Sequence, residues 1–229
     1  MKVLNLHRWD VRIEEARRIQ INLSKRLIFQ GEPKKITYVA GSDVSYNRGD
    51  QKVWAGVVVF NIQDWKVVEE RGDFGTTSFP YIPGYLSFRE VPVLLKVFQK
   101  VETVADVVLL DGQGIAHPRR MGIASHVGLF LELPTIGCAK SRLVGKFEPV
   151  PEQKGSYSVL KVDDERVGWV VRTRDGVKPI FVSPGHLIGL ERTLKVVMEC
   201  CGIFRIPEPL RRAHQLVNRL RKGSFFSYI

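Results

Sequence analysis

One short apolar run constrains the fold more than any other segment: Asp106-Val107-Val108-Leu109-Leu110, ending in Asp111-Gly112-Gln113-Gly114. A strand with apolar side chains at consecutive positions has no face to give to water, so both faces must be covered. A sheet layered between helices meets that demand. The flanking pattern agrees. Residues 12–28 place Ile13, Ala16, Ile19, Leu23 and Leu27 at three- and four-residue steps, which predicts an amphipathic helix. Gly31-Glu32-Pro33 breaks it. Three β-rich runs follow at 36–45, 53–62 and 65–73, joined by turns short enough for antiparallel hairpins. After the loop Phe79-Pro80-Tyr81-Ile82-Pro83-Gly84 comes a helical stretch to about Val101, in which Pro92 predicts a kink or a new first turn.

Beyond the apolar run, elements alternate. A helix is expected at 121–131, a short strand at Thr135–Ala139, strands at Tyr157–Val162, 167–172 and 179–182, and helices at 187–200 and Glu208–Arg221. No linker divides them. The expectation is one α/β domain over residues 1–229, a mixed sheet flanked by helices, with 222–229 as a tail.

Charge narrows the partners. Lys+Arg minus Asp+Glu is 35 − 24 = +11, a surface suited to a polyanion such as nucleic acid or an anionic membrane. No apolar stretch approaches the ~20 residues of a membrane span. The opening segment is broken by His7, Arg8 and Asp10 too soon for a signal peptide, so secretion is not expected. Cys138, Cys200 and Cys201 form no disulfide framework or CxxC pair and read as reduced core thiols of a cytoplasmic protein.

The chemistry collects at strand ends. Asp43 follows a largely apolar run, and Asp111 closes the apolar strand. Taken singly, such an aspartate is a turn-former or helix cap. Two of them on core strands of a basic chain point to a hard cation such as Mg²⁺ or Mn²⁺, which neutralises carboxylates and polarises a phosphodiester. By spacing alone Glu90 reads as an ordinary acid near a helix start. Lys140, just past a short strand, is either a snorkelling surface lysine or faces a charged site. Gly112 and Gly114 open like a dinucleotide loop, but position 117 is His117, so the GxGxxG pattern fails. Walker-A, GxSxG and HExxH signatures are absent from the sequence. His126 reads as a packing histidine, and His186 as a capping or packing residue at a helix start. His117 and His214 sit among arginines, natural company for phosphate or a hydrated metal. In Pro80-Tyr81-Ile82-Pro83, two prolines stiffen a loop that either tucks Tyr81 and Ile82 into the core or presents them as a wedge between bases.

Together these segments resemble the endonuclease V family. The matching stretches are Tyr38-Val39-Ala40-Gly41-Ser42-Asp43-Val44-Ser45, Phe79 to Gly84, Phe88-Arg89-Glu90, Asp111 to Gly114, His117-Pro118-Arg119, and Gly122-Ile123-Ala124-Ser125-His126. Pro134 to Ser141, Phe181 to His186 and Arg205-Ile206-Pro207-Glu208-Pro209 extend the match to about residue 214. The resemblance implies a ribonuclease-H-like fold and metal-dependent cleavage of nucleic acid containing deaminated bases, chiefly deoxyinosine. The cut would fall at the second phosphodiester 3′ to the lesion, leaving 3′-hydroxyl and 5′-phosphate ends. It further implies Asp43, Glu90 and Asp111 as the metal-binding and catalytic acids, Lys140 and His214 beside the scissile phosphate, and Tyr81 as the wedge aromatic. Mg²⁺, with Mn²⁺ as substitute, is the expected cofactor. A base pocket is expected from Gly84-Tyr85-Leu86, Gly112, Gly114, His117 and Gly122-Ile123. The expected partner of this monomer is DNA with deaminated bases, with single-stranded nucleic acid or RNA as further partners. An inosine-specific ribonuclease or structure-selective nuclease of the same fold and a non-catalytic nucleic-acid-binding module are the alternatives.

Overall fold

The computed structural model describes residues 1–33, 35–47 and 49–223. The expected tail falls almost entirely outside these residues, as does Arg48 of the first hairpin turn. The chain runs α1 (Ile13–Ser24), β1 (Tyr38–Tyr46), β2 (Lys52–Asn61), β3 (Lys66–Thr76), α2 (Leu86–Lys100), β4 (Val107–Leu110), α3 (Ile123–Leu131), β5 (Thr135–Ala139), β6 (Tyr157–Val162), β7 (Glu165–Val171), β8 (Ile180–His186), α4 (Leu190–Glu199) and α5 (Glu208–Arg221). The strands form one sheet in the order β3-β2-β1-β4-β5-β8-β7-β6. At its centre β1, β4 and β5 lie parallel, while the flanking pairs are antiparallel.

The period of two along β4 shows why it had to be apolar throughout. Val107 and Leu109 pack with Val196 and Leu210 beneath α4 and α5, while Val108 and Leu110 pack with Val91, Leu94 and Val127 beneath α2 and α3. All four β4 residues are buried. The fold is thus a mixed α/β sheet between helical layers, as expected. Three parallel strands ending at one edge leave their carboxyl ends open together, the usual place for a ligand site in such sheets.

Local details depart from expectation where tertiary contacts override the local signal. α1 stops at Ser24, and Leu27 packs instead with the Leu160–Phe181 cluster and beside Met121. α2 runs unbroken through Pro92, because burial along most of its length outweighs the one backbone hydrogen bond that proline removes. His186 starts no helix; it ends β8, where the register shifts so that Ile136 opposes Pro184 and Thr135 opposes His186. That bulge accommodates a proline inside a strand. His186 Nδ1 accepts the Ile28 N–H at 3.2 Å.

Candidate active site

Register brings the first two acids together. Ser42 pairs with Leu110, so Asp43, still within β1 and opposite Gly56 of β2, lies beside Asp111, the first residue past β4. Glu90 arrives from the second turn of α2, and all three carboxylates line one small cavity of about 10 Å³ with Leu94, Leu110 and Ile123. Asp43 and Glu90 are buried. Burial first, then the charges of Asp43 and Asp111, pushes the Glu90 carboxyl well above the usual carboxylate range. Burial and Asp43 likewise raise Asp111, against the opposing pull of Lys140. Tyr46, beside Glu90, is pushed up to about 12, chiefly by burial.

A thermal consequence follows. Because the folded state holds the Glu90 proton more tightly than the unfolded chain does, stability falls as pH rises from near 4.5 through the raised folded value. Glu90→Gln is therefore expected to melt above the parent at pH 8 with chelator present, by about 2–4 °C for each kcal/mol relieved. The gap should close as pH falls toward 4.5. Differential scanning calorimetry across pH checks this; a variant melting below the parent at pH 8 would contradict it.

Two basic side chains answer the acids. Lys140, one residue past β5, pairs with Asp111. From α5, His214 Nδ1 lies 2.7 Å from Asp43 Oδ2, and that hydrogen bond raises the imidazole above its usual value. α5 reaches this close because position 41 is glycine: a Cβ there would lie 2.2 Å from the Pro209 carbonyl. Arg205 holds the backbone behind Lys140, donating to the Lys140 carbonyl at 3.1 Å and the Pro179 carbonyl at 2.9 Å.

The donor set suits a hard divalent cation, since three carboxylates share a space with room for about one water-sized sphere. Among the described residues no three His, Cys, Asp or Glu side chains form a ready-made ion cage. Asp43 and Asp111 instead spend oxygens on His214, Lys140 and the Val44 N–H.

Beside the acids lies a second cavity of about 310 Å³, lined by Tyr81, Gly84, Leu86, Gly112, His117 and Ile123 and, at its acidic end, by Asp111 and Lys140. Tyr81 stands on its rim 62% exposed, with Pro80 and Pro83 exposed and Ile82 half-buried. Tyr81 is therefore not tucked into the core; Phe79 takes that place, stacked on Phe88 at 5.4 Å. Gly112, with φ of +156°, lines the cavity. Gly114 is elsewhere: it packs under β8, a Cβ there would lie 2.1 Å from the Pro184 carbonyl, and its N–H donates to Ser183 Oγ. Close backbone approach was legible at Gly114, but the approach is to the sheet.

His117 also departs from expectation. Its Nδ1 accepts the Arg119 N–H at 3.1 Å and its Nε2 donates to the Gly84 carbonyl at 2.9 Å, leaving neither nitrogen for phosphate. Burial drives it down to about 4, so it is neutral at physiological pH. Gln20 and Arg119 donate to the same carbonyl at 3.0 and 2.6 Å. This clamp fixes the cavity rim at Gly84, whose φ is +82°. Gln20 carried no local sequence signal, and Arg119 and Arg205 lay in matching stretches that gave them no role. Arg89 did: a charge amid buried residues beside Glu90, with its guanidinium donating to the Phe79 and Asp50 carbonyls at the foot of the Tyr81 loop. His126 is a fully buried packing residue, as expected.

Comparison with known proteins identifies the family. The family model for endonuclease V matches residues 21–215. An endonuclease V of Dehalococcoides mccartyi is 49% identical over 214 residues, 93% of this chain and 96% of the relative. The crystal structure of endonuclease V from Streptomyces avermitilis matches with a TM-score of 0.89 and 38% identity, covering 98% of this chain and 99% of that one. The Ciona intestinalis endonuclease V, in complex with a 23mer DNA containing an inosine followed by a ribo-adenosine, matches at TM-score 0.82 and 30% identity over 93% and 98% of the two chains. With matches spanning nearly its whole length, this chain belongs to the endonuclease V family, nucleases that hydrolyse phosphodiester bonds of DNA.

Proposed function

We propose that this protein is a metal-dependent repair endonuclease that cuts the second phosphodiester 3′ to deaminated bases, chiefly deoxyinosine, leaving 3′-hydroxyl and 5′-phosphate ends. The observation that carries the reading is that three carboxylates from β1, α2 and β4 meet at one end of a base-sized cavity whose rim presents Tyr81. The inosine-containing DNA held by the Ciona intestinalis relative supports the substrate class.

Asp43, Glu90 and Asp111 would hold Mg²⁺, or Mn²⁺ in its place. When bound, the ion neutralises phosphate charge and lowers the pKa of water at the reacting centre. Lys140 adds a positive charge for the phosphate, and His214 orients Asp43 through their hydrogen bond. Tyr81, on its proline-stiffened loop, fills the gap left when a base leaves the stack. The cavity takes that base. The N-terminal turns of α2 and α3 abut it at Leu86 and Ile123, and such turns direct N–H groups outward to carbonyl and ring-nitrogen acceptors. The net charge of +11 holds the DNA backbone, with affinity falling as salt rises. We assign the protein as one domain acting as a monomer in the cytoplasm. Three buried free cysteines are consistent with that location, and among the described residues no helix is long and apolar enough to cross a membrane.

Incubating the protein and Mg²⁺ with matched duplex DNA, single-stranded DNA and RNA oligonucleotides, each with and without inosine, and mapping the cut to one nucleotide, tests this reading. A single cut at the second bond 3′ to deoxyinosine is expected. Cutting confined to RNA, or independent of inosine, would replace the substrate assignment. Gly112→Val addresses the cavity itself: a Cβ at this position would lie 2.6 Å from Ile123 Cγ2, at a φ that side chains rarely adopt. We expect inosine cleavage to fall about 10-fold or more, at overpacking strain of roughly 1–3 kcal/mol. Wild-type-like selectivity in a folded Gly112→Val variant would remove this face from the pocket.

A further inference from the structure

A chain of hydrogen bonds runs through the core to the base cavity, and no step of the proposed reaction uses it. His7 Nδ1 lies 2.8 Å from the Arg8 carbonyl, His7 Nε2 lies 2.8 Å from His126 Nε2, and His126 Nδ1 lies 3.0 Å from Ser87 Oγ. Ser87 is 2% exposed and lines the cavity beside Leu86 and Ile123. Trp9, Phe88 and Phe130 pack around the two imidazoles.

Chemistry fixes the direction of every proton. A carbonyl only accepts, so His7 Nδ1 must donate to Arg8. Burial lowers His7 below its usual value and holds His126 well below it, so both rings are neutral at pH 8. A neutral imidazole that donates at Nδ1 accepts at Nε2. His126 must then donate from Nε2 to His7 and accept at Nδ1. The remaining donor is the Ser87 hydroxyl, whose proton is committed to His126. What Ser87 has left for the cavity is lone pairs alone.

We propose that Ser87 is a specificity-determining residue that accepts the N1–H of the extruded base, with His126 and His7 as positioning residues that hold its hydroxyl as an acceptor. This rests on the reading that the cavity takes the lesion base. Hypoxanthine carries a proton at N1, whereas adenine offers a lone pair there, which would face the Ser87 oxygen lone pair to lone pair. Deamination of adenine inverts N1 from acceptor to donor, as it inverts position 6 from donor to acceptor. Ser87 thus reads one of the two positions that the damage inverts, next to the O6 position that backbone donors would read. Guanine shares the N1–H, so its exclusion falls to the cavity wall near C2.

Two measurements test the assignment. The first compares kcat/KM on duplexes carrying deoxyinosine or its 1-deaza analogue, in which C–H replaces N1–H and the displaced proton moves to N3 or O6. The parent is expected to prefer deoxyinosine by roughly tenfold or more, the effect of leaving a buried acceptor unpaired. The change at N3 or O6 acts on both proteins alike, so in Ser87→Ala the preference should shrink severalfold, by the share that Ser87 supplies. A parent that cuts neither substrate would refute the inosine reading itself; a parent that cuts deoxyinosine with a preference undiminished in Ser87→Ala would refute the role of Ser87 alone. The second measurement needs no substrate. Nitrogen NMR of the imidazoles at pH 8 should show His126 protonated at Nε2 and His7 at Nδ1. A proton on His126 Nδ1 would free the Ser87 hydroxyl to donate into the cavity and overturn the proposal.

Discussion

Asp43→Ala, Glu90→Ala and Asp111→Ala are each expected to lose inosine cleavage by roughly 10³-fold or more while remaining folded. Removing one group that stabilises transition-state charge costs about 10²–10³ in rate, and loss of an ion's ligand adds weakened occupancy to that. The fold should survive, because the carboxylates contribute repulsion. Glu90 is raised by the charges of Asp43 and Asp111, so deleting any one acid relieves the others. The partners left behind, Lys140 and His214, have side chains 45% and 55% exposed and can return to water. Single-turnover cleavage with a melting curve on the same preparation separates the two effects. Wild-type-like cutting by any one folded variant would remove that residue from the catalytic set.

Tyr81→Ala is expected to weaken cleavage of an inosine-containing duplex by roughly 10- to 100-fold and of the corresponding single strand by about threefold or less. The wedge offsets unstacking and unpairing, about a few kcal/mol, which a single strand hardly incurs. The ring is exposed and supported from below rather than packed into the core. Tyr46 lies 6.5 Å away between centroids, and Arg89 sits over the Tyr46 ring at 4.7 Å while anchoring the loop's base. Global stability should therefore shift by about 0.5 kcal/mol or less, as for other surface changes. Equal losses on both substrates would return Tyr81 to a purely structural role.

What was legible in the sequence was what short-range pattern encodes. The continuous apolar run at β4 announced a doubly covered strand, and the acids within β1 and just past β4 could be located before their neighbours were known. β5, β6 and α5 begin and end where the pattern places them. Glu90 was different: spacing alone made it a helix-start acid, and only the family resemblance and then the fold set it beside Asp43 and Asp111. Long-range pairing explains the rest. Gly84 is clamped by Gln20, His117 and Arg119 from distant parts of the chain, which no local period reports. Pro184-Gly185 reads as punctuation between elements, yet a bulge against β5 keeps it within a strand. Gly114 carries the signature of close approach without saying what approaches.

The most direct measurement of the central claim, that Asp43 and Asp111 form one cation site with Glu90, is calorimetric titration of Mn²⁺ into the parent and into the Asp43→Asn, Asp111→Asn double variant. Asparagine keeps the size and removes the charge, so the helical packing and the Gly41 contact with α5 are undisturbed. Saturable binding by the parent and its loss in the double variant are expected. Equal binding by both proteins would place the metal elsewhere and contradict the site.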